Sequence, residues 1–278
     1  MECAGSFCYL DGSIIPVSGG GEIPAGDVSF YEVIRTRKGI PIFFDDHMDR
    51  LRAGISTRFD LAEDIAEEVR QGLIALVASD HHDEINVRVT VTFTAREYSV
   101  HICYVPSFYP TEKMVSEGVP LIIYHAERLD PGVKMLNSRL RNTVNEELSR
   151  RNAYEAILVN REGFITEGSR SNVFFITKEG AVHTAPDSMV LSGITRRYVT
   201  GIIRQEGISL IYKAVKETGT GVYRSSFITG TSPMVLAVKS IENQRFDAFD
   251  PLIERLRKAY VRLVEESISE YILRNKAD

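Results

Sequence analysis

Lys134 stands in an apolar setting, with Val133, Met135 and Leu136 around it in the stretch VKMLNSRLRN. Burial disfavours an ammonium group, so a lysine there is paired, deprotonated or covalently occupied, unless its stem packs while its amine reaches water. A desolvated, neutral amine is the nucleophile a Schiff base requires. Glu167 follows 33 positions later (167 − 134), at the end of a hairpin strand in FITEGSRSN. A strand-end glutamate is ordinarily solvated. Turned inward by Ser169, Ser171 or Asn172, it needs a cationic partner, and a protonated pyridine nitrogen meets that need.

Two small-residue turns add a second kind of chemistry. LSGITRR sets Gly193, Ile194 and Thr195 at a helix start, where free N–H groups and the positive end of the dipole favour a phosphate. TGTSP, Thr229 to Pro233, offers hydroxyls and accessible amides, with Thr231 and Ser232 at its tip. Arg50 in HMDRL is a third phosphate ligand by type, although a lone helix arginine is ordinarily a surface residue. A lysine, a carboxylate and several phosphate-type turns together point to pyridoxal 5′-phosphate.

The elements that must position these residues are legible as an α+β pattern. Alternating runs come first, FCYLDGSIIPV and SFYEVIRTRKGIPIFF, the second broken at Lys38-Gly39 by a hairpin turn. Met48, Leu51 and Ile55 have helical spacing, as do Leu61, Ile65, Val69, Leu73, Leu76 and Val77. INVRVTVTF and YSVHICYV read as strands, and PSFYPTEKMVSEG as a connector. Beyond it come a strand (VPLIIY), a helix marked by Leu136, Leu140, Val144 and Leu148, and the hairpin EAILVNREGFITEG closed by Gly163. SNVFFIT pairs with AVHTA. A helix over GITRRYVTGIIRQEG ends near Gly207, SSFITGTSPMVLAV is a strand pair, and a last helix closes the chain. Two domains are expected, 1–108 and 109–278.

Composition narrows the function. The chain has 278 residues, 44% of them hydrophobic and 26% charged, as in globular domains with a sizeable core. A net charge of −5 without a basic block speaks against nucleic acid or an anionic membrane as partner. No apolar run reaches the roughly 18–20 residues of a membrane span, and the first residues lack a signal-peptide pattern. Cys3, Cys8 and Cys103 lack metal spacing and read as reduced thiols of a cytoplasmic protein, so no metal is expected.

Six stretches, in order and across nearly the whole chain, resemble the class-IV aminotransferases, the fold-type IV pyridoxal-phosphate enzymes: FYEVIRT, DDHMDRLRAG, VKMLN, YEAILVNREGFITEGSRSNVFFI, LSGITRR and FITGTSPMVLAV. That group holds branched-chain aminotransferases, D-amino-acid aminotransferases and aminodeoxychorismate lyases. The resemblance implies a smaller N-terminal α/β domain and a larger C-terminal domain with a barrel-like β core. It implies that Lys134 joins the cofactor's aldehyde and moves the proton, and that Glu167 holds the pyridine nitrogen protonated. Arg50, Gly193, Ile194, Thr195 and Thr231 would bind the phosphate, Leu191 would pack on the ring, and Asn172 would lie beside the cofactor. Ser138 follows Asn137 where branched-chain enzymes commonly carry a tyrosine, so the resemblance does not extend to that contact. Gly26-Asp27-Val28 replaces a Gly-Asp-Gly, and the loop there is expected to differ.

Tyr31, Val33 and Arg35 share one face of their strand, and Glu32 and Ile34 the other. In the family one face lines the substrate pocket, and Tyr31 with Val33 resembles the D-amino-acid version. Arg96 and Tyr98 fall where the family carries a carboxylate-binding pair, and Ser232 sits beside the second phosphate turn. The expected reaction moves an amino group between an amino acid and a 2-oxo acid, of branched-chain or D-amino-acid type. A lyase releasing pyruvate from 4-amino-4-deoxychorismate is the alternative, and a cofactor-binding protein with little turnover is a third reading. Small-molecule substrates and a homodimer are the expected partners.

Overall fold

A computed structural model describes residues 3–60, 65–95, 97–128, 130–135 and 138–275. Leu61, Arg96, Leu136 and Asn137 lie outside the described residues. The chain divides into two compact units, residues 1–108 with 133–136 and 264–278, and residues 109–132 with 137–263. The second is therefore not the unbroken stretch 109–278: the segment around Lys134 and the C-terminal end pack with the first.

In the first unit, β1 (Ala4–Leu10), β2 (Ser13–Pro16), β3 (Val28–Arg37), β4 (Ile40–Pro41), β5 (Glu84–Phe93) and β6 (Tyr98–Val105) form one antiparallel sheet in the order β2-β1-β6-β5-β3-β4. A short helix, α1 (Val17–Gly20), follows β2. The β3–β4 turn forms because Lys38 and Gly39 both take positive φ, 52° and 74°, the conformation a two-residue hairpin demands. Helices α2 (Phe44–Ile55) and α3 (Ile65–Ser79) cover one face. Met48, Leu51 and Ile55 from the first and Val69, Leu73 and Leu76 from the second pack on Phe30, Ile34, Val87, Val89, Val91, Val100 and Ile102. Each such side chain contributes roughly 1.5–3 kcal/mol by burial. Val77, expected on the buried side, is half-buried.

In the second unit the expected connector contains a helix, α4 (Glu112–Glu117), whose N-cap Thr111 accepts from the Met114 N–H at 3.3 Å. Then come β7 (Val119–His125), α5 (Ser138–Arg151), β8 (Glu155–Val159), β9 (Phe164–Gly168), β10 (Asn172–Thr177) and β11 (Val182–Thr184). They are followed by α6 (Ile194–Gln205), β12 (Leu210–Tyr212), β13 (Val215–Lys216), β14 (Tyr223–Gly230), β15 (Met234–Ile241), β16 (Gln244–Arg245) and α7 (Pro251–Asn275). The strands make a mixed sheet in the order β12-β11-β10-β14-β15-β7-β8-β9-β13, with β16 beside β15, and the sheet curls as a half barrel. Val144 and Leu148 of α5 pack on Ile122 and Ala156, while another core fills around Leu121, Ile157, Phe175 and Leu236. Residues 251–263 of α7 belong to this unit and the rest of the helix to the first. Among the described residues no helix is long and apolar enough to cross a membrane.

Candidate active site

Lys134 reaches the first unit through backbone pairing. The two-residue β4 pairs with β3 at Thr36 and Arg37, and the next residue, Ile42, donates its N–H to the Arg35 carbonyl, which leaves the β3 edge open at Phe30 and Tyr31. There the Tyr31 N–H donates to the Lys134 carbonyl at 3.1 Å, and Phe30 bridges Met135. Val133 is buried in the helix-facing core, and Lys134 Nζ lies 4.7 Å from the centre of the Tyr31 ring. Tyr31 and Lys134, paired only by resemblance in the sequence, are thus in direct contact.

The other face of β3 holds a charged cluster that periodicity does not reveal. Glu32 is fully buried, and α2 brings His47 and Arg50, three residues apart and so on one side of the helix, against it. Arg50 Nε and Nη2 donate to the two carboxylate oxygens at 2.7 and 2.6 Å, and His47 Nδ1 donates at 2.8 Å. Burial acts to raise the Glu32 pKa, but Arg50 and His47 outweigh it and hold the carboxyl at about 2. Burial pushes the His47 imidazole below its ordinary value, against the pull of Glu32, and the nearby charges of Arg50 and Lys134 act in the same direction as burial. The cluster is a carboxylate–guanidinium pair with a neutral imidazole donor, and it fixes the Arg50 guanidinium.

Acid is expected to undo it. Glu32 has a folded pKa below its unfolded value of 4.5, so its contribution is complete above that pH and is lost as pH falls toward 2. The loss amounts to about 3 kcal/mol. His47, held neutral, adds a decline that begins below its ordinary 6.5, because the unfolded chain then binds the extra proton. Urea unfolding followed from pH 7 down to pH 2 measures this. A Glu32→Gln protein with the same acid dependence as the parent would disprove it.

In the second unit Glu167 is buried at the end of β9. Arg128 Nε lies 2.8 Å from its Oε1, while Oε2 accepts from Asn172 Nδ2 at 3.3 Å and the Leu191 N–H at 3.1 Å. Of the three residues expected to turn Glu167 inward, only Asn172 does so. Ser169 and Ser171 bond the neighbouring buried Glu155, at 2.6 and 3.0 Å, and so fasten the turn after β9. Arg128, absent from the sequence reading, also donates to the Ser169 carbonyl at 2.8 Å.

Asn172 links this carboxylate to the start of α6. Its Nδ2 donates to the Leu191 carbonyl at 3.0 Å, and a Cβ on Gly193 would meet its Oδ1 at 2.2 Å, so only glycine fits there. Gly193 is the N-cap of α6 and supplies no side-chain cap. Ile194 and Thr195 are buried in the first turn, and the Thr195 hydroxyl lies 3.1 Å from the Tyr260 hydroxyl of α7. Thr231 and Ser232 sit half-buried in the β14–β15 turn, which register places beside Asn172 through the Asn172–Thr229 pair. Val33 shares the face of Tyr31. Tyr98 does not: it pairs with Phe93 and packs in the helix-facing core. Arg96 lies outside the described residues.

The fold is that of the fold-type IV enzymes. It matches the branched-chain aminotransferase of the archaeon Thermoproteus uzoniensis, solved with norvaline, with a TM-score of 0.81 over 97% of this chain and 98% of that one, at 21% identity. A hypothetical aminotransferase from Mycobacterium tuberculosis, in its pyridoxal-phosphate-bound form, gives 0.76 over 93% of this chain and 98% of that one, at 18% identity. Residues 29–241 match the family of class IV amino-transferases, and the chain belongs to that family. The D-alanine aminotransferase of Bacillus licheniformis is 30% identical over 240 residues, 80% of this chain and 81% of that relative. The protein is an enzyme, a transaminase, and its cofactor is pyridoxal 5′-phosphate. Residues of the types that group needs are present in each unit: a buried carboxylate and a glycine-capped helix start in the second, and a lysine against an aromatic ring in the first.

Proposed function

We propose that this transaminase moves amino groups between D-amino acids and 2-oxo acids. The observation that carries this reading is the Tyr31–Val33 face of β3 with Lys134 Nζ over the Tyr31 ring. It is supported by D-alanine aminotransferases among the relatives matched over most of their length. A branched-chain L-specific reading is the second, favoured by the Pseudomonas aeruginosa branched-chain-amino-acid aminotransferase, 32% identical over 114 residues.

Pyridoxal phosphate, when bound, supplies an electron sink for the carbanion left once an amino acid loses its α-proton. The chain supplies the rest. Lys134 would be the residue that holds the cofactor covalently, and its amine would take the α-proton and return it. Glu167, oriented by Asn172 and the Leu191 N–H, keeps the ring nitrogen charged. In the second unit the first-turn N–H groups of α6 and Thr231 would hold the phosphate, and Leu191 would pack on the ring. In the first unit Arg50, fixed by Glu32, is a phosphate ligand by type. Tyr31 and Val33 would form a substrate wall there, while Tyr98 belongs to the core. The protein acts as a cytoplasmic homodimer on small amino and 2-oxo acids.

Single half-reactions with a panel of D- and L-amino acids test this by the visible absorbance of the loaded enzyme. D-alanine and related D-amino acids are expected to bleach it. Bleaching by L-leucine, L-valine and L-isoleucine alone would replace this reading with the branched-chain one. Pyruvate released from aminodeoxychorismate without an amino acceptor would make the protein a lyase. Light scattering of the active enzyme is expected to give the mass of two chains, and full activity from single chains would refute the dimer.

A further inference from the structure

The sheet face opposite α2 and α3 carries a polar row to which no role has been given above. Register sets Cys8, Cys103 and Arg88 side by side on β1, β6 and β5, with Val33 of the proposed substrate wall next in line on β3. The alternation in INVRVTVTF suggests a strand with one wet face, yet Arg88 and Thr90 are fully buried. Arg88 Nη2 donates to Cys103 Sγ at 3.2 Å and to Cys3 Sγ at 3.7 Å. Cys3 Sγ, Cys103 Sγ and a ring nitrogen of His101 lie within 4.8 Å of one another. All three cysteines are free thiols, Cys103 buried and Cys3 half-buried, so a solute meets Cys3 first.

We propose that Cys3 and Cys103 form a peroxide-oxidised thiol pair, with Cys3 as the nucleophile, Cys103 as the resolving thiol and Arg88 as the charge that favours the thiolate. The Cys3 thiol, when protonated, points its hydrogen at the Gly21 carbonyl, 3.0 Å away. A hydrogen bond from Cys103 lowers the Cys3 pKa to about 7, burial opposes this and Arg88 assists it. The same hydrogen bond and burial push Cys103 up. Burial also pushes Cys8 up, which leaves Cys3 as the reactive member.

The chemistry balances with a hydroperoxide as oxidant. The Cys3 thiolate attacks the peroxide, an S–O bond forms, the O–O bond breaks, and the leaving oxygen takes a proton from water. The Cys103 sulfur then attacks Cys3 sulfur, an S–S bond forms, the S–O bond breaks, and hydroxide leaves as water with the Cys103 proton. The sulfurs together lose two electrons, and the peroxide gains them. Cys3, Cys103 and His101 would also suit a soft metal by type. However, a guanidinium 3.2 Å from one sulfur repels a dication and favours a thiolate.

The test treats the holoenzyme with a slight excess of hydrogen peroxide, counts thiols in denaturant and maps the peptides. Two of the three thiols are expected to disappear together, joined as Cys3–Cys103 within one chain, and to return with a dithiol reductant. Cys8→Ser protein is expected to form the same bond, and Cys3→Ser and Cys103→Ser proteins none. Cys3 is expected to react with maleimide roughly 10-fold or more faster than Cys8. A Cys8–Cys103 bond, a bond between chains, or an unchanged thiol count would overturn the proposal. So would stoichiometric zinc binding that shields Cys3 and Cys103 from maleimide, which would make the cluster a metal site.

Discussion

Lys134→Ala protein is expected to lose turnover by roughly 10³-fold or more, because the residue serves as both covalent holder and proton carrier. The fold should be spared. What ties residue 134 to β3 is its backbone carbonyl, which accepts from the Tyr31 N–H, and alanine keeps it. The side chain contributes the amine over the Tyr31 ring and nothing to the helix-facing core, where Val133 does the packing. The variant should therefore melt close to the parent and still bind the cofactor, but without the visible absorbance of the covalent form. Small primary amines added to the solution should restore part of the rate. Near-parental turnover from the alanine variant would remove Lys134 from the chemistry.

Glu167→Gln is expected to cost both activity and stability, for one electrostatic reason. The carboxylate faces Arg128 at 2.8 Å and is almost completely enclosed. Glutamine keeps the size and an oxygen for the Leu191 N–H, but it removes the negative charge and leaves the arginine without its counter-ion. Breaking a buried pair costs about 3–5 kcal/mol, and the partial exposure of Arg128 reduces that here to about 2 kcal/mol. Turnover should fall further, roughly 10²-fold, because an amide cannot hold a pyridine nitrogen protonated. The two losses separate experimentally: urea unfolding of the cofactor-free protein reads the first, and kcat at saturating cofactor reads the second. A variant with lower stability and unchanged kcat would reduce Glu167 to a structural partner of Arg128.

Residue patterns disclosed the elements and the chemistry-bearing motifs, because each depends on local signals. Met48, Leu51 and Ile55 at helical spacing, or Lys38-Gly39 between alternating runs, carry their structure in a few positions. What escaped depends on contacts distant in sequence. Glu32 was visibly on the face of Ile34, but periodicity does not say that His47 and Arg50 stand opposite it. The one signal was the three-residue spacing of HMDR, which puts both on one side of a helix. Arg128 lies in a connection without periodicity, and only the buried neighbour it meets gives it meaning. Ser169, Ser171 and Asn172 stand as alternatives for Glu167 in the sequence; the two serines bond Glu155 instead because the chain turns back beside it, which sequence distance hides. Tyr98 is expected by resemblance in a substrate-binding loop, but it opens β6 and packs on the helix-facing core, a facing that a loop alignment does not show. The helix Glu112–Glu117 is a single capped turn and more, too short for a stripe.

The composition of the first unit bears on how the protein is made. Its core counts Tyr271 among the side chains packed against it, Ser267 Oγ accepts from the Phe43 N–H at 2.8 Å, and Arg274 meets Asp45 at 2.6 Å. All three follow β6, the last strand of that sheet, by more than 150 positions. A nascent polypeptide emerges from the ribosome N-terminus first, so β1 to β6 exist long before those partners do. The opening third of the molecule must wait, incompletely closed around Phe44, until Ser267, Tyr271 and Arg274 have been synthesised. A transcript broken upstream of the Ser267 codon would leave it so.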